Sequence, residues 1–492
     1  MSLTDIKSVF LDEKVQLAIF LLVVVVHLYN EIGPCQHLLH PLYRNLASFL
    51  SYVTQVVRDY RSAKYYKPWK PATPIIIVSS KQEIAELSEA PNLSQRAVYA
   101  DMFGFKHTMN KLEHNTSDHR VVRTRLYGRL LQVNGPLHLS ALYPRLVARL
   151  DSSLDRELAD AHLLQDGVSL PVAQTMRRLV SKLMSLMFFG ESLSSNEAFA
   201  NALLRYPQDM VKCMGAFQIT PAFMSPIVHA LLTNRGEAMK LIQSRLLERM
   251  GSCRSAWDEP DQTKHLTIMH NMAELTEASD YWNPELLSQS LLGIWFAAAH
   301  QPWMNLHFIM IELCSRPEWQ EALRQEMQQH APLDYKTLEA LPLLDSFIKE
   351  TVRLQPLDTL AIRRKALAPH TFAHGSVSVP SGATVCVSAY DLMHDTTTYA
   401  EPHSFDPTRF LPKDGKGQRK FTEVSETFPV WGYGSLACPG RLHASLAMKM
   451  VMSKLLLTYD MRLEDPKART RWSWETFTMP YETTRIVLKE RC

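Results

Sequence analysis

Apolar residues recur at intervals of three and four over residues 142–163, 172–189, 237–250, 284–314 and 317–330. That spacing places them on one helix face, so it predicts a mainly helical body. Alternation by two is scarcer. Residues 73–79 (Thr-Pro-Ile-Ile-Ile-Val-Ser) are β-branched and apolar, and 376–387 alternate around Pro380-Ser-Gly382. These predict a small, peripheral β-sheet region. Between 205 and 235 the chain is rich in Met210, Met214, Phe217, Pro221, Phe223, Met224 and Pro226. Such a stretch suits either an adaptable apolar ligand surface or ordinary helix packing. Residues 17–28 are apolar except for His27. They fall short of the ~20 residues of a full span, yet no small-residue cleavage site follows them. A retained N-terminal membrane anchor with its linker is therefore expected over 1–39, ahead of one catalytic domain over 40–492.

Composition narrows the class. With 492 residues and 46% hydrophobic content, the chain can bury a large core. A formal charge of +3 gives no reason to expect nucleic acid. The seven cysteines, at 35, 213, 253, 314, 386, 438 and 492, are an odd, scattered set without a CxxC pair. This points to a reducing compartment rather than a disulfide scaffold. The glycosylation tripeptides at Asn92 and Asn115 would then be inert. No HExxH or paired Cys/His spacing supports a zinc hydrolase.

One cysteine stands apart. Cys438 lies in Trp431-Gly-Tyr-Gly434-Ser-Leu-Ala-Cys438-Pro-Gly440-Arg-Leu-His-Ala444. A lone cysteine cannot build a zinc site, which takes several nitrogen or sulfur ligands. It can give one thiolate to an iron that brings its own ring nitrogens, and glycines let the backbone approach a flat macrocycle. A free structural cysteine in a glycine-rich loop is the other reading of the loop alone. Upstream, Glu350-Thr-Val-Arg353 places a carboxylate and a guanidinium on one face of a helix expected over 341–354. Arg409, in Ser-Phe-Asp-Pro-Thr-Arg-Phe, is able to make a forked contact with the same carboxylate.

In that order, these motifs resemble the cytochrome P-450 haem-thiolate monooxygenases over about residues 40–490. The likeness is greatest to membrane-bound fungal members of secondary metabolism. The resemblance implies a mainly α fold, with haem b between a long central helix and the cysteine loop. It implies Cys438 as the iron ligand, and Trp431, Gly434 and Gly440 as parts of the haem loop. Glu350, Arg353 and Arg409 would form a structural network. His119 and Arg123 match a helix that approaches a haem propionate, and one of Arg363 and Arg364 matches another propionate contact.

Two departures carry information. Leu436 stands where the family usually has a donor to a propionate, so Arg123, Arg363 or Arg364 would carry more of that charge. In the helix expected to cross the haem, Ala297-Ala-Ala-His300-Gln301-Pro302-Trp303 puts His300 and Gln301 in the places of the usual acid and threonine. His300 could titrate near neutrality, Gln301 could hold a water, and Pro302 should kink the helix. The resemblance further implies oxidation of a hydrophobic small molecule with dioxygen, and electrons from NADPH through a separate reductase. Residues 413–420, rich in lysine and arginine, could dock that partner. The expected location is the endoplasmic reticulum membrane, with the catalytic domain facing the cytosol. The missing acid–threonine pair favours rearrangement, ring expansion or desaturation over plain hydroxylation. It also keeps open a haem-binding homologue without turnover.

Overall fold

The computed structural model describes residues 74–109, 126, 128–130, 133–220, 222–251, 267–277, 282–373, 377–412 and 420–491. The expected anchor, His119, Arg123 and residues 413–419 lie outside them. The principal helices are α1 (Lys81–Glu89), α2 (Gln95–Phe103), α3 (Pro136–Ala159), α4 (Val172–Ser194), α5 (Glu197–Ile219), α6 (Ser225–Leu232), α7 (Glu237–Gly251), α8 (Pro284–Ser315), α9 (Pro317–Gln329), α10 (Pro342–Leu354) and α11 (Arg441–Thr458).

The longest, α8, runs 32 residues through the body and packs against α4, α7, α10 and α11. Its start is set by Pro284 in the first turn and by the Asn283 side chain, which accepts from the Leu286 amide at 2.8 Å. Leu291, Leu292, Trp295, Leu306, Ile309 and Met310 on α8 are fully buried. The helix continues through Pro302 rather than ending there.

Strand content exceeds the expectation. One four-stranded sheet runs β1 (Ile75–Ile77), β8 (Thr384–Ser388), β5 (Leu360–Ala366), β2 (Leu93–Ser94); a second runs β3 (His162–Leu164), β4 (Gly167–Pro171), β12 (Arg485–Glu490), β9 (Tyr459–Leu463). Two hairpins add β6 (His370–Thr371) with β7 (Ser378–Val379), and β10 (Arg471–Trp474) with β11 (Phe477–Pro480). The helix expected over 142–163 instead starts at Pro136 and stops at Ala159. Residues 162–164 turn back at Gly167 (φ +154) and pair with β4, whose other edge pairs with β12. The hairpin with β4, itself held in the sheet by β12, overrides the local helical spacing.

The segment at 205–235 divides. Met210 and Met214 belong to the α5 core, whereas Phe223, Ile227 and Leu231 are exposed.

Candidate active site

The cysteine loop owes its shape to two glycines and one helix end. Gly432 has φ +76, and a Cβ there would sit 2.3 Å from the Leu436 carbonyl oxygen. The loop therefore closes on itself only with glycine at that position. Gly434 has φ +54 and lies against Ser88 and Glu89 at the end of α1. Glu89 accepts from the Ser435 amide at 2.9 Å, and Ser435 Oγ donates to the Ser88 carbonyl at 2.9 Å. These contacts hold the Glu89 carboxyl below its usual value. The Cys438 amide donates to the Trp431 carbonyl at 2.6 Å, and Trp431 Nε1 is anchored on the Phe421 carbonyl at 2.6 Å.

α11 starts three residues after Cys438 without a side-chain cap, so its first amides are free to bond elsewhere. The amides of Gly440 and Arg441 donate to the Cys438 sulfur, and the Arg441 charge adds to them. Burial pushes the thiol up from its usual value, while these three contributions oppose it. A helix N-terminus aimed at sulfur favours the thiolate once a cation binds it. Cys213, Cys314 and Cys386 are buried, with their thiols pushed up by desolvation, Cys213 to about 12. Cys438 alone among these four is only half-buried.

Behind the loop, Glu350 and Arg353 are completely buried on α10. Arg353 forks onto Glu350 at 2.7 and 2.8 Å, then reaches the carbonyls of Met393 and Pro402, each at 2.7 Å. Arg409 does not fork onto that carboxylate as expected. Only its Nε meets Glu350, at 3.0 Å, and its other nitrogens donate to the carbonyls of Ala400, Glu401 and Ser404. The loop curls around the guanidinium, and its carbonyls are nearer than the second carboxylate oxygen, which takes the Asp406 amide at 3.0 Å.

The two candidate arginines of β5 part company. Arg364 is fully buried and donates to the carbonyls of Leu87, Ala90 and Leu93, where it staples α1 to the sheet. Arg363 forks onto Asp358 at 3.0 and 2.8 Å and reaches Thr476 Oγ1 at 2.5 Å. A bulge between Ala361 and Arg364, with Ile362 at φ +51, sets the two side chains apart.

On α8, Gly293, Ile294, Ala297, Ala298 and Gln301 form a stripe in which Ala297 and Gln301 are exposed and the other three only partly buried among the described residues. It is apolar except for Gln301. His300 is turned away from this stripe. It stacks on Phe296 (centroids 5.7 Å apart, planes at 14°) and meets Trp303 edge-on. Beside it, a cavity of about 10 Å³ is lined by Arg177, Ser181 and Gln208 among others, room for one water. Desolvation, helped by the Arg177 charge, pushes His300 down to about 3. The sequence suggested titration near neutrality; burial and the Arg177 charge instead favour the neutral ring, and no carboxylate among the described residues offsets them.

The residues present fit a haem. The sulfur carries two amide donors, the Gly440 Cβ direction is open, and a long helix shows a partly exposed, mostly apolar stripe. The sequence model of the cytochrome P450 family matches residues 39–487, and the chain belongs to this family. Among curated relatives, the cytochrome P450 monooxygenase penP of Penicillium crustosum is 27% identical, covering 74% of this chain and 73% of the relative. AtmP of Aspergillus flavus is 25% identical over 83% of this chain and 79% of the relative. The retinoic acid-bound cyanobacterial CYP120A1 superposes with a TM-score of 0.64 at 19% identity, covering 85% of this chain and 90% of the other. The fold is thus that of cytochromes P450, and the chain is an oxidoreductase of the monooxygenase type.

The sequence reading missed Glu89, Asp358 and Gly432. The first two are ordinary acids on distant segments, without a local signal. Gly432 had one, in the closely spaced glycines of Gly432-Tyr-Gly434.

Proposed function

We propose that this protein is a haem-thiolate monooxygenase that oxidises a hydrophobic small molecule as a tailoring step in fungal secondary metabolism. The observation that carries the reading is the Cys438 sulfur, half-buried and held by two backbone amides at the start of α11. The names of the relatives support a monooxygenase, and the apolar α8 stripe supports a hydrophobic substrate. When bound, the haem would supply dioxygen activation at the cost of two electrons and two protons.

The protein's own groups have separate tasks. Cys438 would hold the iron and donate electron density to it. Ile294, Ala297 and Ala298 would position substrate and keep bulk water out. The Gln301 amide, on the open stripe, would hold a water there at hydrogen-bond distance. His300, neutral across the working range, would pack rather than exchange protons. A site without the usual acid–threonine pair suits rearrangement, ring expansion or desaturation. Product analysis decides this: simple inserted oxygen as the sole outcome overturns it.

Electrons would come from an NADPH-dependent reductase. The apolar N-terminal segment would anchor the chain in the endoplasmic reticulum membrane, the catalytic domain facing the cytosol. Recovery in the soluble fraction of disrupted cells would overturn the anchor.

The test of the central reading is the carbon monoxide difference spectrum of reduced protein. The expected result is a strongly red-shifted Soret band, lost in Cys438→Ala. A band at the position of histidine-ligated haem, or no haem in folded protein, overturns it. The departures at Gln301 and Leu436 favour a second reading, a haem-binding homologue without turnover. NADPH consumption with reductase and substrate separates the two.

A further inference from the structure

Helix α2 carries Gln95, Tyr99 and Phe103 at intervals of four, so they share one face. Phe103 meets Phe296 of α8 edge-on with centroids 4.8 Å apart, and Tyr99 leans on Phe103 at 6.4 Å. This face therefore looks toward α8. The start of α2 is fixed by Ser94, whose side chain accepts from the Ala97 amide at 3.2 Å while its backbone pairs with Lys365 of β5. Just before it, the end of α1 grips the cysteine loop through Glu89 and Ser435. Tyr99 thus sits where α8, β5 and the cysteine loop converge.

Its surroundings are polar on one side only. The charges of Asp358, Arg363 and Cys438 all reach the phenol, and the Gln95 amide donates to the phenol oxygen. A phenol that accepts in this way still has its own O–H to place. Asp358 acts on the phenol through its charge and not through a hydrogen bond, and its oxygens already take the Arg363 fork and the Leu360 amide. Burial keeps the phenol protonated, so it remains a donor at every working pH. At the same time the loop lacks a donor at Leu436, and Arg364 is spent on three carbonyls of the α1 region.

We propose that Tyr99 donates a hydrogen bond to a haem propionate, taking over the task left open at Leu436, with Gln95 fixing the direction of the phenol. This rests on the haem-thiolate reading above. Because Tyr99 is neutral, it would shield the carboxylate without adding a charge; among the described residues, Arg363 is a cation near it.

The experiment uses the full-length holoprotein and Tyr99→Phe, which removes one oxygen atom. Haem transfer to apomyoglobin should quicken about tenfold or more, the size of one lost hydrogen bond to a charged acceptor. The haem reduction potential should fall, since the propionate charge is less well neutralised. The melting of haem-free protein should not change. Adding Leu436→Arg to Tyr99→Phe should slow haem loss again, because a donor returns to the loop. Unchanged transfer rate and potential in the single variant overturn the proposal. So does a lowered melting temperature with an unchanged potential, which would mark a packing role. A wild-type protein that takes up no haem would sink the haem-thiolate reading instead, so the two failures are distinguishable.

Discussion

Gly432 and Gly440 lie eight positions apart, yet a methyl group meets opposite surroundings at the two. At Gly432 it would strike a backbone carbonyl at 2.3 Å, with φ at +76. At Gly440 it would meet nothing within 4 Å, and φ is −91. Gly432→Ala should therefore destabilise the protein whether or not haem is present, read as a lower melting temperature of both forms. Gly440→Ala should leave the haem-free melting unchanged and lower haem occupancy, read from the ratio of Soret to protein absorbance. Full occupancy in Gly440→Ala would mean that the open direction does not face the macrocycle. The sequence marked Gly440 as a site residue, whereas the reason that Gly432 must be glycine appears only once the loop is folded back on itself.

At the scale of elements, the decisive contacts join α10 to the segment before the cysteine loop. Glu350 and Arg353 are completely buried, and Arg409 shares the same carboxylate. Removing one partner of such a group strands a charge without water, at a cost of about 3–5 kcal/mol. Glu350→Gln should thus yield little folded, haem-containing protein, measured as carbon monoxide-reactive haem per milligram. A near-normal yield would show that the carbonyls around Arg353 and Arg409 suffice to hold them.

A second tie crosses nearby: Lys349 bonds Glu423 at 2.9 Å and the Lys420 carbonyl at 3.2 Å. Like Arg353, Lys349 projects from α10 toward the 400–431 segment. This helix reads as amphipathic in sequence, but its charged side is inside the protein. Only the chain wrapped around it reveals that.

For the whole molecule, buried histidines set the acid limit. Desolvation pushes His138, His307 and His443 down to about 4, and His300 to about 3. His138 and His443 face each other with centroids 6.5 Å apart, and His138 adds to the desolvation that keeps His443 from charging. In the unfolded chain these rings bind protons near their ordinary pKa of about 6.5. The stability they permit is therefore complete above that pH and is lost as pH falls toward 4. Each ring adds a slope of up to about 1.4 kcal/mol per pH unit. The melting temperature should fall steeply between pH 6.5 and 4, and more gently in His443→Phe. Equal slopes in the two proteins would show that carboxylates, not these rings, control the loss.

Some features followed from local chemistry alone. A lone cysteine among glycines and a Glu-x-x-Arg pair can be read from residue type and spacing, because each begins with neighbours a few positions away. The main helices follow for the same reason: hydrophobic spacing is a local property. The later arginine, which meets Glu350 from 59 residues on, is legible only through the order of the motifs. Tertiary structure decided the rest. It turned His300 away from the open face of α8 and left it neutral, since a pKa depends on burial and on charges such as Arg177 from another helix. It assigned Arg364 to the carbonyls of the α1 region and Arg363 to Asp358, although the two are adjacent in sequence. It ended the helix expected over 142–163 at Ala159 and turned residues 162–164 into the edge strand of a hairpin with β4, which the sheet holds through β12 at the far end of the chain. Pairing, burial and field all act across space, and sequence spacing does not encode them.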